Sequence, residues 1–183
     1  FLSINLLNKD ADTIARINIP NADPLHIVET SFNGKLFAIL FLNTSERKLE
    51  ARMYDMKGSQ VNQFERQLNE RDMRFFTSKI SAASASLGSN KFLHELDSNG
   101  FFLMYNNLEE NLYSCNIYRI DSNAKSERFY TYMADVPIYD AKFLGRKKTL
   151  LYFSFEKKGK TNASFTADVI ALDIRDFDQE FEI

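Results

Sequence analysis

Apolar residues fall into short dense runs rather than along a helical stripe: Leu36 to Leu42, Phe101 to Tyr105 and Leu150 to Phe155. Each run is the length of a strand and is bounded by Gly, Asn or charged residues, which predicts strands joined by turns. A glycine precedes each run, at Gly34, Gly100 and Gly145, and seven residues before these glycines stand Ile27, Leu93 and Ile138. Each run is followed by a polar connection, at 43–48, 106–111 and 156–166. A further strand-like stretch then ends at Tyr54-Asp55, Tyr118-Arg119 or Leu172-Asp173. The predicted unit is strand, Gly turn, apolar strand, polar loop, strand, an antiparallel meander repeated three times.

In the first unit the middle strand has no polar face. Leu36, Ala38, Leu40 and Leu42 fall on one side and Phe37, Ile39 and Phe41 on the other. Such a strand must be covered on both sides, which sheets stacked around an axis achieve and an isolated meander does not. The segment LHIVETSFNGKLFAILFLNTSERKLEARMYDMKG resembles a divergent blade of the WD40-type β-propeller family. Its Phe32-Asn33-Gly34-Lys35-Leu36 stands at the turn between the first two strands, and Tyr54-Asp55 stands where that family carries Trp-Asp. The chain departs from the family in having no Trp and no Gly-His pair. The resemblance implies a mainly β, partial propeller of antiparallel meanders; a β-sandwich or barrel with three coincidentally similar hairpins is the alternative.

The expected organisation is one β-rich domain over 1–183. Residues 1–24 supply strands of a preceding blade, and 25–58, 91–134 and 135–183 are blade-like units. An insertion at 59–90 lies between the first two. Within it, Val61, Phe64, Leu68 and Phe75 follow a helix-like spacing that predicts a helix over Gln60 to Phe76. The small-residue tract Ser81 to Ser86 predicts a loop and a place for a partner contact. Propellers typically need four or more blades, so three units and a part are expected to be completed by further sequence or by another subunit adding strands. The start at Phe1, without an initiating Met, fits a chain cut from a longer one.

Composition supports the β reading, with 17 Phe and 8 Tyr against 6 Gly and 3 Pro. A formal charge of −2 from 23 basic and 25 acidic residues offers no field for a polyanion, so neither nucleic acid nor an anionic membrane is an expected partner. Arg146, Lys147 and Lys148 are separated from Lys157, Lys158 and Lys160 by a strand of roughly 23 Å at ~3.3 Å per residue, so they are not one patch. The single Cys115 excludes an internal disulfide and a multi-cysteine zinc site, and reads as a small core residue. No apolar run approaches ~18 residues, so an intracellular, membrane-free protein is expected. The triplets Asn43-Thr44-Ser45 and Asn162-Ala163-Ser164 match glycosylation acceptors at the rate chance allows.

Candidate chemistry is sparse. His26 and His94 occupy comparable first-strand positions but have no metal-spaced partner. Ser appears in no G-x-S-x-G, and the S-x-x-K matches at Ser45/Lys48, Ser122/Lys125 and Ser154/Lys157 lack their companion motifs. The six glycines form no phosphate loop. Glu109-Glu110 and the acidic run from Asp173 to Glu182 read as solvated charge, with Phe177, Phe181 and Ile183 alternating as on an edge strand. No catalytic residue, cofactor or metal is therefore assigned and no small molecule is evident. The expected role is a protein-interaction or scaffold element of a larger assembly whose partners are other protein subunits. The candidate contact residues are Phe129, Tyr130, Tyr132 and Tyr139, an aromatic set typical of interface hot spots. A ligand- or glycan-sensing propeller attached to an enzyme or receptor is the alternative function.

Overall fold

The computed structural model describes residues 1–20, 22–82, 92–97, 100–109, 112–122, 128–134, 138–144, 149–155 and 167–173. Side chains are described for most of 1–80, for 92–95 and 100–105, and for 116–122. The chain is mainly β and antiparallel, with one helix and, among the described residues, no closed barrel.

A hairpin of β1 (Leu2–Leu7) and β2 (Thr13–Ile19) forms a two-stranded sheet. Its inward positions Leu6, Ala15, Ile17 and Ile19 are buried. The first four-stranded sheet is a meander of β3 (Leu25–Phe32), β4 (Phe37–Asn43), β5 (Lys48–Tyr54) and β6 (Gln60–Gln67). Helix α1 (Glu70–Ala82) leads to a second meander of β7 (Leu93–Asp97), β8 (Gly100–Glu109), β9 (Leu112–Asp121) and β10 (Arg128–Ala134). A three-stranded meander follows, β11 (Ile138–Leu144), β12 (Thr149–Phe155) and β13 (Ala167–Asp173).

Turn chemistry sets the hairpins. Asn33 Oδ1 accepts the N–H groups of Lys35 (3.1 Å) and Leu36 (2.8 Å), and Gly34 takes the positive φ of 92° that the tight reversal requires. Between β5 and β6, Asp55 Oδ1 accepts from Lys57 N (2.8 Å) and Ser59 N (2.9 Å) in the same way.

The two-faced apolar strand is explained by what lies on each side. Ala38, Leu40 and Leu42 join Leu49, Ala51 and Met53 in a core shared with Leu93, Phe101, Leu103, Tyr105, Tyr118 and Ile120 of the second sheet. Ile39 and Phe41 turn the other way, into a second cluster with Tyr54 and the hairpin's Leu6, Ala15, Ile17 and Ile19. Each of these buried Leu, Ile and Phe side chains contributes about 1.5–3 kcal/mol by leaving water. Polar bonds fix the register between the two large sheets. The Glu29 carboxylate accepts from Phe92 N (2.6 Å) and Leu93 N (3.2 Å), Asn33 Nδ2 donates to Gly100 O (3.3 Å), and Asn62 Nδ2 donates to Asp121 O (2.6 Å).

The helix expected over Gln60 to Phe76 is corrected: Gln60–Gln67 is a strand and the helix begins at Glu70. The inward face of β6 carries Asn62, Phe64 and Arg66, of which only Phe64 is apolar, so its alternation is hidden. Asn62 bonds across the seam, Phe64 packs on Tyr118 with ring centroids 5.0 Å apart, and Arg66 lies over the same ring. Val61, counted as a helix anchor, is exposed. Asn69 starts the true helix by accepting from Asp72 N at 2.8 Å. Phe76 then seals it against Phe75, Phe92 and Tyr105.

The expected loop at Ser81 to Ser86 is corrected at its start, because Ser81 and Ala82 close the helix; 83–86 lie outside the described residues. The polar connection expected at 106–111 is shorter than anticipated, since β8 runs to Glu109 and β9 resumes at Leu112. Gly145, both basic clusters, Asn162 and the acidic end beyond Asp173 lie outside the described residues.

Candidate functional site

Alternation along β5 sends Leu49, Ala51 and Met53 into the main core and Lys48, Glu50 and Arg52 to the opposite side. In register with them stand Asn43, Phe41 and Ile39 of β4, and Gln67, Glu65 and Gln63 of β6. The β1–β2 hairpin covers the apolar end of this face. The polar end stays open as a cleft of about 480 Å³, bounded by Pro20, Asp23, Pro24 and Leu25 on one side and by the β4–β6 face on the other.

Its floor is an ion-pair network. Glu50, 3% exposed, accepts from Arg52 Nη2 at 2.6 Å, from Arg52 Nε at 3.1 Å and from Asn43 Nδ2 at 2.9 Å. Arg52 lies over the Phe41 ring, 5.3 Å from its centroid. Burial opposes the charge on Arg52, but its bonds to Glu50 outweigh burial and hold the guanidinium above its ordinary value. Burial likewise pushes the Tyr54 hydroxyl up, an effect Arg52 partly offsets. At the rim, Lys48 Nζ lies 2.5 Å from Glu46 and 3.0 Å from Glu65, and these carboxylates raise its ammonium further above the usual lysine value. Gln63 Nε2 donates to Glu65 Oε1.

Both cations are thus paired with carboxylates. In the Ser45/Lys48 match, Ser45 Oγ donates to Asn43 Oδ1 at 3.0 Å while Lys48 pairs with Glu46 and Glu65. What the cleft can do chemically is recognise: it offers four carboxylates, two cations and two amides in a fixed arrangement. The glycosylation triplet at Asn43 has a structural account too. Asn43 is buried, its amide is committed to Glu50, and its oxygen accepts from Ser45 Oγ and Glu46 N.

The aromatic candidates fall on two different sheets. Phe129, Tyr130 and Tyr132 lie on β10, the edge strand of the second sheet, opposite Tyr118, Ile117 and Cys115. Tyr139 lies on β11 of the third sheet, at a register irregularity between Ile138 and Asp140. The contacts of their side chains lie outside the described residues, as do those of Cys115. His26 is exposed on β3 and His94 is buried on β7, the first strands of their respective sheets. Among the described residues no three His, Cys, Asp or Glu side chains converge as metal ligands.

The architecture agrees in extent with a family comparison: a model described as Family of unknown function (DUF6770) matches residues 2–183. The chain belongs to the DUF6770 family. No curated protein and no solved structure matches it. The family description assigns no activity to this DUF6770 chain. From the sequence no role is assigned to Lys48, Glu50 and Arg52, because charges at every second position of one strand carry no signature of a cleft. The signal lay in the partner strand, where Ile39 and Phe41 occupy the same face as Arg52 and Glu50.

Proposed function

We propose that this chain is a non-catalytic binding module built on a propeller-type stack, serving as a scaffold element of a larger intracellular assembly. The observation that carries the reading is the meeting of successive meanders. The first strands β3 and β7 lie in contact, and the first two sheets share one core. β11 of the third sheet approaches β8 and β9, whose Phe102, Met104 and Ile117 are buried on the face opposite that core. Side-by-side first strands and face-to-face sheets are the relations between neighbouring blades. Partners would be protein subunits, met by the loops at the sheet ends and by open edges such as β10 with Phe129, Tyr130 and Tyr132.

Light scattering across a concentration series tests this. Reversible, concentration-dependent association through open edges is the expected result. A monodisperse monomer with a single cooperative unfolding transition at every concentration would favour a self-contained sandwich instead.

The cleft favours a second reading, a sensor of a small polar ligand. Paired carboxylates, amides and a guanidinium in a 480 Å³ cleft suit a multiply hydroxylated molecule such as a glycan. Calorimetric titration with neutral oligosaccharides is expected to give 1:1 binding that Gln63→Ala weakens. Binding unaffected by that substitution would place the ligand elsewhere.

A further inference from the structure

The β1–β2 hairpin is attached to the first sheet in an unusual manner. It forms its own two-stranded sheet and shares no strand ladder with β3–β6. The side-chain and turn hydrogen bonds of residues 1–19 stay within the hairpin: Ser3 to Asn18, Arg16 to Asn5, and Asn8 to Asp10 and Asp12. Among the described residues it is docked without a hydrogen bond to the sheet, by apolar contact of Leu6, Ala15, Ile17 and Ile19 with Ile39, Phe41 and Tyr54 and by the close approach of Gly58 in the β5–β6 turn to the Arg16 carbonyl. The contrast with the seam between the large sheets is sharp, since there Glu29, Asn33 and Asn62 each bond a backbone group of the opposite sheet.

The hairpin's outer face carries Ser3 bonded to Asn18 and Asn5 bonded to Arg16, with Leu7 and Ile14 exposed at its turn end. That face meets water equally well whether the hairpin is docked or lifted, so among the described residues undocking breaks no polar bond, and its cost is the apolar area it exposes. The connector after β2 supplies Pro20, Asp23 and Pro24 to the cleft wall and is pinned just beyond, where Pro24 O accepts from Thr44 N (3.0 Å) and Thr44 Oγ1 (3.2 Å). Motion is therefore confined to residues before Pro24.

We infer that the β1–β2 hairpin is a strap that opens from the first sheet as one unit, uncovering Ile39, Phe41 and Tyr54 and removing one wall of the polar cleft. Local opening of this kind belongs to elements that lie at the periphery with few hydrogen bonds to the rest of the fold, and here its free energy is set by the apolar area the hairpin buries. A two-stranded hairpin is marginal on its own, so it opens and closes as a whole rather than strand by strand. The inference stands apart from the scaffold reading, because it concerns access to the cleft whatever binds there.

Hydrogen exchange of the full chain supplies the test. The ladder amides of β1 and β2 are expected to share one opening equilibrium and to exchange at least tenfold faster than those of β4 and β5. A lock is available in the geometry. A Cβ placed on Gly58 lies 3.5 Å from the Ala15 Cβ, within the span of a disulfide, so Ala15→Cys with Gly58→Cys, in a Cys115→Ser background, joins strap to sheet at the cost of strain in the β5–β6 turn, where the φ is 81° and Arg16 O lies 3.0 Å from the new Cβ. Oxidation should slow exchange in β1–β2 at least tenfold relative to the reduced form of the same protein and leave β7–β9 unchanged. Equal exchange in β1–β2 and β4–β5 of the native chain overturns the inference, as does identical exchange in the oxidised and reduced variant. If the double cysteine variant fails to fold, the native comparison decides alone.

Discussion

Removing one member of the Glu50–Arg52 pair should cost very different amounts according to which member goes. The Glu50 side chain is 3% exposed and that of Arg52 is 16%, so the guanidinium has a path to water and the carboxylate has none. Arg52→Leu leaves Glu50 with its Asn43 bond only and an uncompensated buried charge, a loss of about 3–5 kcal/mol. Glu50→Gln keeps an acceptor for Asn43 and lets Arg52 swing outward, a loss of about 1–2 kcal/mol. Glu50→Leu combined with Arg52→Leu should lose less than Arg52→Leu alone, because no buried charge is then orphaned and Phe41 gains an apolar neighbour. Urea unfolding at pH 7 measures all three, with an unchanged slope showing that the same surface is exposed on unfolding. Equal losses for the two single variants, or a double variant worse than Arg52→Leu, would refute a network floored by a truly desolvated carboxylate.

Three further outcomes follow from the core and the turns. Phe76→Ala should destabilise by about 3–5 kcal/mol in denaturant unfolding, because the ring is fully buried among Phe75, Phe92 and Tyr105 and packs α1 against the second sheet. Gly100→Ala should cost about 1–3 kcal/mol and lower Tm, since a Cβ there would lie 2.6 Å from Ile120 O, a backbone atom in the β8–β9 ladder that cannot step aside. Burial, reinforced by Tyr118, holds the Tyr105 hydroxyl above its ordinary value, and burial raises Tyr54 in the same direction. A raised folded pKa stabilises fully below the unfolded value of about 10 and is lost as pH climbs towards the folded one. Stability should therefore fall above pH ~10, and Tyr54→Phe and Tyr105→Phe should each remove from the tyrosinate absorbance a component that appears together with unfolding rather than ahead of it.

The sequence was most legible where burial and period agreed. The apolar runs Leu36 to Leu42, Phe101 to Tyr105 and Leu150 to Phe155 coincide with β4, β8 and β12, and each is the second strand of a meander. Legibility failed where a strand faces a polar seam. On β6 the inward positions Asn62 and Arg66 bond and stack on the second sheet, so a pattern that assumes an apolar inner face finds a helix instead. The same cause hid the cleft. Glu50 and Arg52 satisfy each other beneath the surface, so two of the most strongly held charges in the first sheet look like solvent-facing residues when read along one strand.

The placement of polar bonds then separates rigid seams from movable ones. Between the large sheets, Glu29, Asn33 and Asn62 reach backbone groups whose partners are lost if the sheets part, and a buried backbone group left unpaired costs about 1–3 kcal/mol. Apolar contact carries no directional penalty and so tolerates sliding, while lifting costs free energy in proportion to the area exposed. The β1–β2 seam has only the second kind of contact, and the polar cleft sits at its open end. A site walled on one side by a directionally bonded sheet and on the other by a connector leading to an apolar-docked hairpin holds half of its geometry rigidly and can yield the other half. That division suits recognition of a partner that must enter before it is enclosed.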